Sequence, residues 1–518
     1  MVEGKYSTWQ KDNRLVMSSD FFEKQEVEPT MSEGRTVPGV VNVAAVKGYI
    51  AVAAKSEGTT ELAMYVTDDA KTWHRAEFGK HKLEENAYTL LESTNYSIQV
   101  DLMASSITSP MGALFTSNSN GTYFTKSIEH TNRNIQGYVD FEKIQNIQGI
   151  VLVNVVDNWQ ELEKDFMADK KIKSKISFDD GRVWHDLNVG KEDLHLHSVT
   201  DQRNIGRVFS SPAPGIVMGI GNTGKYLKSF EEGDTFVSDD AGLTWRLALE
   251  GPHLYEMGDQ GAILVAIEDT DTKEIKWSID HGKKWDSIKL DDKIRPIVLL
   301  TVPDSTSLKF ILVASKGSGS KLEHFTYSLD FNGLHEDKCK DSDFEKWAAR
   351  VDDDGKPSCI MGHKQFFRRR KADADCFVDV EFKDPQPEYE DCKCTDADYE
   401  CDYNFERSED GKECVPSGSL KAPEGACKNP EDEYEGSSGY RLIPGNTCDK
   451  KDGVAKDKPV KRPCKDTAAK PPASGKISHE IKKFKGAKFA EYYYLEKAAS
   501  ASGDDETIIM RTDRREVF

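Results

Sequence analysis

Carboxylates, hydroxyls and tryptophans recur at one spacing along this sequence. Ser238, Asp240, Gly242, Thr244 and Trp245 fill the pattern Ser-x-Asp-x-Gly-x-Thr-Trp completely. Ser278, Asp280, Gly282 and Trp285 match it with Lys284 in the threonine place, and Ser177, Asp179, Gly181 and Trp184 match it with Val183 there. The stretch from Val66 to Trp73 keeps Asp68, Thr72 and Trp73 but lacks the serine and the glycine, and fainter versions stand at Ser18-Ser19-Asp20 and Ser328-Leu329-Asp330. The chemistry that repeated carboxylates could perform is glycoside hydrolysis. It needs two carboxylates, or a tyrosine with a partner acid, converging on one bond.

A turn accounts for the pattern better than a reaction does. The Asp accepts hydrogen bonds from the N–H groups of its own turn, the Gly occupies a positive-φ position without a steric penalty, and the Trp lays an apolar face beside the next repeat. Such Asp boxes also occur in sialidases, on turns away from the chemistry, and a sialidase needs arginines for the substrate carboxylate. Arg35-Thr36-Val37-Pro38 is the one faint echo of that element, without its preceding aromatic residue. The boxes are therefore read as structural, and their recurrence as the blades of a β-propeller.

Other groups that could do chemistry carry less. Leu194-His195-Leu196-His197 puts two imidazoles on one strand face, but nothing nearby nominates a third metal ligand. Gly219-Ile220-Gly221-Asn222-Thr223-Gly224 has the letters of a dinucleotide loop without a following helix or partner acid. Arg368-Arg369-Arg370-Lys371 reads as a solvated or salt-bridged surface rather than a nucleic-acid patch. No Ser/His/Asp or Cys/His nucleophile stands out, and neither a metal nor a cofactor is implied.

The elements that must position these residues are strands. Val40–Val46, Gly149–Val156, Ile216–Ile220, Ala262–Ile267 and Phe310–Ala314 are short β-branched runs bounded by Gly, Asp, Asn or Ser. No helical period of any length precedes about Cys339. The chain has 518 residues, 37% hydrophobic and 31% charged, with 70 basic against 90 acidic residues and a net charge of −20. That balance repels phosphate backbones, so cationic peptides or protein patches are better partners than nucleic acid. No apolar run approaches the roughly 20 residues a bilayer requires, and Met1-Val2-Glu3-Gly4-Lys5 opens no signal peptide.

All ten cysteines lie between Cys339 and Cys464. An even number crowded into one segment reads as a disulfide framework formed in an oxidising compartment, with its pairing open to many solutions. Cys392-Lys393-Cys394 does not have the Cys-x2-Cys spacing of zinc sites, and His363 is the only histidine of the segment. Two N-glycosylation sequons, at Asn95 and Asn120, fit the same compartment.

The run Cys392-Lys393-Cys394-Thr395-Asp396-Ala397-Asp398-Tyr399-Glu400-Cys401-Asp402-Tyr403-Asn404-Phe405 resembles the core of the ten-cysteine module of the sortilin family. Cys359-Ile360-Met361-Gly362-His363, Phe367–Lys371 and Gly439–Cys448 resemble other parts of that module. Leu249–His253, Gly261–Glu268, Asn118–Phe124 and Val139–Glu142 resemble the family's propeller. The likeness covers nearly the whole chain and most resembles the fungal vacuolar protein sorting receptors, which carry carboxypeptidase Y precursor.

That resemblance implies the pairing Cys339–Cys376, Cys359–Cys392, Cys394–Cys448, Cys401–Cys414 and Cys427–Cys464. It implies an all-β chain: residues 1–337 as about six blades of a ten-bladed Asp-box propeller, at about 40–50 residues per four-stranded repeat, and 338–465 as the disulfide-rich ten-cysteine module. Residues 466–485 follow as a linker and 486–518 as the opening strands of a second propeller. The function it implies is the lumenal, non-enzymatic cargo-binding part of a membrane-anchored receptor of Golgi and endosome. Such receptors bind peptide and propeptide regions of soluble hydrolase precursors and release them as pH falls. The residues that contact cargo are left unassigned, and the rival reading is a secreted sialidase-like hydrolase. The chain is expected to be an internal piece of a longer protein, and an open arc of blades is expected to self-associate.

Overall fold

The computed structural model describes residues 13–464 apart from 33–34, 47, 56–60, 80, 82, 85–87, 92–96, 106–108, 166, 205–212, 335–336, 353, 379–385, 403, 409–410, 418–419, 421, 423–425 and 428–430. Beyond that stretch it describes the strands Val2–Glu3, Phe489–Leu495 and Thr507–Thr512. Asn95, the 466–485 linker and most of 486–518 lie outside the described residues.

The chain divides into two compact units, one of residues 1–99, 116–125 and 393–518, the other of 100–115 and 126–392. The division falls between Cys392 and Lys393, so the cysteine-rich segment contributes to both.

Three antiparallel repeats of the second unit follow one plan. Phe141–Lys143 pairs with Val151–Val156, which pairs with Ile172–Ser177 and then His185–Val189. Glu192–Leu196, Val217–Thr223, Asp234–Ser238 and Arg246–Leu249 repeat the order. His253–Gly258, Ile263–Glu268, Thr272–Ser278 and the first part of Asp286–Leu300 repeat it again. The rest of Asp286–Leu300 pairs with Lys309–Lys316, and that with Glu323–Asp330. In each complete repeat the third strand ends on the serine of an Asp box, so the turn always joins the third strand to the fourth. The second strands are the most buried: every residue of Val151–Val156 is buried, as expected of a strand packed on both faces.

In the first unit, Val40–Val46, Tyr49–Lys55, Glu61–Thr67 and His74–Arg75 build the same four-stranded ladder around Val40, Val52, Ala54, Ala63 and Tyr65. The chain is thus all-β, a partial Asp-box propeller followed by a disulfide-rich segment. Among the described residues one short α-helix interrupts the strands, Trp159–Lys164. Its six residues bury only Leu162, against Met111 and Val156, which is too little to impose a helical period on the sequence.

Ten cysteines form five disulfides: Cys339–Cys376 and Cys359–Cys392 in the second unit, and Cys394–Cys448, Cys401–Cys414 and Cys427–Cys464 in the first. None crosses from one unit to the other. The strands Phe344–Ala348 and His363–Arg370 place Phe367 and Ala349 in one core with Ile150, Leu152, Ile176 and Trp245 of the repeats. The second unit therefore closes blades and cysteine-rich strands over shared apolar surface.

Candidate functional site

The box turns are built from local hydrogen bonds. Ser177, Ser238 and Ser278 each donate to the Asp two residues on, at 2.8, 2.8 and 2.9 Å, and accept from the glycine N–H four residues on, at 2.8, 2.8 and 3.0 Å. Asp179, Asp240 and Asp280 then accept the N–H groups of Val183, Thr244 and Lys284 at 2.9, 2.8 and 2.9 Å. Two consecutive positive-φ residues reverse the chain: Asp180, Ala241 or His281, then Gly181, Gly242 or Gly282. The indoles of Trp245 and Trp285 donate back to the carbonyls of Gly242 and Gly282 at 3.0 and 3.2 Å. The serine hydroxyl and the aspartate carboxylate of each box are thus engaged within their own turn.

The turn at 67–73 needs a correction. Its working carboxylate is Asp69, not Asp68. Asp69 accepts from the Thr67 hydroxyl at 3.1 Å and from the N–H groups of Lys71 and Thr72, each at 2.7 Å. This turn is one residue shorter, with Ala70 its only positive-φ residue, so Thr67 takes the serine place. The N–H groups of Thr72 and Lys71 hold the Asp69 carboxyl well below the usual range. Ser18 and Asp20 make the same contacts, with Phe21 and Phe22 at positive φ.

A further box escaped the sequence pattern. In Ser117–Tyr123, Asn118 stands in for the aspartate and accepts the N–H groups of Thr122 and Tyr123 at 2.9 and 3.2 Å. Gly121 at φ +70° and an aromatic at the end are the signals that could have found it. The neighbouring Glu400 accepts the Ser119 N–H at 2.9 Å and its hydroxyl, and Arg441 holds Glu400 at 2.7 Å. Asn120 sits in this turn with its amide oxygen accepting the Thr122 hydroxyl at 2.6 Å.

The arginine run departs in part from its reading as a solvated or salt-bridged surface, since Arg370 is buried. Arg368 and Lys371 are exposed, Arg368 paired with Asp341 at 2.7 Å, and Arg369 is paired with Glu345 at 2.8 Å. Arg369 is half-buried and Arg370 buried, and both guanidinium groups reach main-chain carbonyls of the repeats. Arg369 donates to the Asp239 carbonyl at 2.5 Å and the Pro214 carbonyl at 3.3 Å. Arg370 donates to the Ala262 carbonyl at 3.1 Å and to that of Ile279. Arg350 donates to the Phe178 carbonyl at 2.8 Å. Two glycines permit this approach: a Cβ on Gly215 would lie 2.7 Å from Trp347, and one on Gly149 2.6 Å from Ile360.

The paired histidines are structural. His195 accepts the Ser174 N–H at Nδ1 (3.2 Å) and meets the Gly224 carbonyl at Nε2 (2.9 Å), leaving no lone pair for a metal. His197 lies 3.3 Å from Asp201 and against Phe230. Among the described residues no cluster of His, Cys, Asp or Glu could hold a metal ion. Residues 219–223 of the glycine run lie in the strand Val217–Thr223, with Gly224 just beyond its end, and the run forms no phosphate loop.

Titratable groups on the first strands of the repeats give the fold a pH dependence. Burial pushes the Glu142 carboxyl up to about 7, against the pull of the Ser198 hydroxyl at 2.6 Å, with the charge of Asp140 adding to the rise. Burial alone raises Glu256 to about 7. Burial lowers His253 to about 4, against the pull of the Gly251 carbonyl. A carboxyl raised on folding stabilises the fold fully below its ordinary range and stops doing so as pH rises through about 7. A lowered histidine does the reverse, its contribution fading as pH falls from about 6.5 toward 4. Two carboxyls outweigh one imidazole, so these groups raise the urea midpoint between pH 7.5 and 5.5. Glu142→Gln with Glu256→Gln should flatten that rise and His253→Phe should steepen it; an unchanged slope in both variants would refute the assignment.

Two sequence-family models match the chain, "Sortilin, neurotensin receptor 3" over residues 2–299 and its C-terminal companion over 301–464. Relatives called vacuolar protein sorting/targeting protein 10 match throughout. That of Talaromyces stipitatus is 59% identical over 99% of this chain and 34% of its own length. That of Blastomyces gilchristii is 56% identical over 100% and 35%, and that of Aspergillus fumigatus 57% over 98% and 34%. The chain therefore spans about a third of the length of these curated relatives. Among solved structures, an α-L-arabinofuranosidase from Fusarium graminearum overlaps 57% of this chain and 94% of its own at 10% identity and a TM-score of 0.23, a likeness that carries no inference about chemistry. Box turns, five disulfides and two family models covering residues 2–464 place this chain in the sortilin/Vps10 family of sorting receptors.

Proposed function

We propose that this chain is the lumenal cargo-binding part of a type I transmembrane receptor that carries soluble vacuolar hydrolase precursors from Golgi to endosome. The observation that supports it most is the unbroken family match across repeats and cysteine-rich segment together. On this reading residues 1–337 are propeller blades, 338–465 the ten-cysteine module, 466–485 a linker and 486–518 the start of a second propeller. Asn95 and Asn120 carry N-glycans, and peptide or propeptide segments of the cargo are the ligands. On this reading the protein is not an enzyme, which the engagement of each box aspartate in its own turn supports.

The test is binding of the immobilised chain to a propeptide-bearing vacuolar hydrolase precursor and to the same hydrolase without its propeptide. Retention of the precursor alone is expected, with weaker retention at pH 5 than at pH 7. Equal retention of both, or none, would overturn the cargo reading. A panel of glycosides, sialosides included, tests the hydrolase alternative. Turnover abolished by changing one carboxylate would establish that alternative instead.

A further inference from the structure

We infer that the Asp boxes of the second unit are guanidinium seats, and that Arg350, Arg369 and Arg370 set the register of the cysteine-rich strands by occupying three consecutive boxes, one arginine to each. The arginines meet the same atom each time, the main-chain carbonyl of the second box residue: Phe178, Asp239 and Ile279. Those residues lie immediately beyond the strand ends Ser177, Ser238 and Ser278. Their carbonyls have left the ladder, while the box's own hydroxyl and carboxylate serve only N–H and O–H donors of the turn. The turn thus satisfies its donors and presents a carbonyl, which a cation must answer if the site is to be buried.

Arginine suits that seat better than lysine. Its planar fork is fixed, and one terminal nitrogen can bridge two carbonyls. Arg369 bridges the second box residue and Pro214, which leads into the second strand of the same repeat; Arg370 does the same with Ile279 and Ala262. Each of these two side chains therefore ties a box to the start of its neighbouring strand. Arg350 reaches the first box through Nε and rests its Nη1 on Gln365 at 3.2 Å. The Trp347 ring lies beside the Arg369 guanidinium, 4.5 Å from it. Arg369 also meets Glu345 at 2.8 Å, whereas no carboxylate lies within ion-pairing distance of Arg350 or Arg370 among the described contacts. The boxes themselves, rather than acidic side chains, are the common partner of all three.

Amide hydrogen exchange of the full chain, read by mass spectrometry on peptides covering 177–184, 238–245 and 278–285, tests this box by box. Arg350→Ala, Arg369→Ala and Arg370→Ala should each speed exchange about tenfold, the equivalent of one lost net hydrogen bond, in the first, second and third peptide respectively, with the other two unchanged. Arg369→Lys, which keeps the charge and the fold but not the fork, should give a smaller rise confined to 238–245. A uniform rise in all three peptides, or none in any, would overturn the assignment. So would an Arg369→Lys variant indistinguishable from the parent.

Discussion

Asp101→Ala is expected to cost this protein about 3–5 kcal/mol of folding stability, the usual consequence of stranding a buried charge. Asp101 is fully inaccessible and its partner Arg133 is 2% exposed, with Nη1 and Oδ1 2.6 Å apart. The Thr131 hydroxyl donates to the second carboxylate oxygen, and Lys170 donates to the Arg133 carbonyl at 2.8 Å. Burial pushes the Asp101 carboxyl up to about 6, with Thr131 and Arg133 pulling against it, so it is ionised at neutral pH. Gly112 leaves the room for this carboxylate, since a Cβ there would stand 2.0 Å from it. Removing the carboxylate takes from a buried guanidinium the ion pair at 2.6 Å that it makes there. Replacing both partners, Asp101→Leu with Arg133→Met, removes that penalty, and most of the lost stability should return. Urea unfolding of the parent, the single variants and the double variant checks this; a loss under about 1 kcal/mol for Asp101→Ala, the range of exposed pairs, would refute it.

The second large effect lies in the disulfides of the first unit. Cys394–Cys448 closes a sequence separation of 54 residues and Cys401–Cys414 one of 13. The longer loop restrains the unfolded chain more. Replacing both cysteines with alanine should cost about 4 kcal/mol at the first bridge and about 3 at the second. Packing accentuates the difference, because Cys394 and Cys448 sit in a small cluster with Tyr399, Tyr440 and Leu442. With so few apolar residues, that cluster cannot hold its strands without the cross-link. Urea midpoints of the two double variants, each with its remaining bridges formed, test the ranking. The reverse order would show that strain or residual structure dominates over loop length.

How far the candidate site could be read in advance depended on the reach of each interaction. The complete boxes were legible because serine, aspartate and glycine bond within four residues of one another. The turn at 67–73 was legible in kind but not in register, since deleting one residue slides the working carboxylate from Asp68 to Asp69 while Thr72 and Trp73 stay in place. The turn at 117–123 was hidden because an uncharged residue, Asn118, accepts its N–H groups and follows its serine by one residue instead of two. Each of these differences still lay inside a single turn.

The sequence by itself determined the strand class of the repeats and the position of the three boxes at 177–184, 238–245 and 278–285, both of which follow from residues close in the chain. Only the tertiary structure decided what the boxes are for. Arg350, Arg369 and Arg370 meet their carbonyls across 172, 130 and 91 residues. A main-chain carbonyl is also the same atom whatever side chain stands beside it. No residue type at Phe178, Asp239 or Ile279 could announce a seat for arginine, because the seat is made by the backbone leaving its ladder.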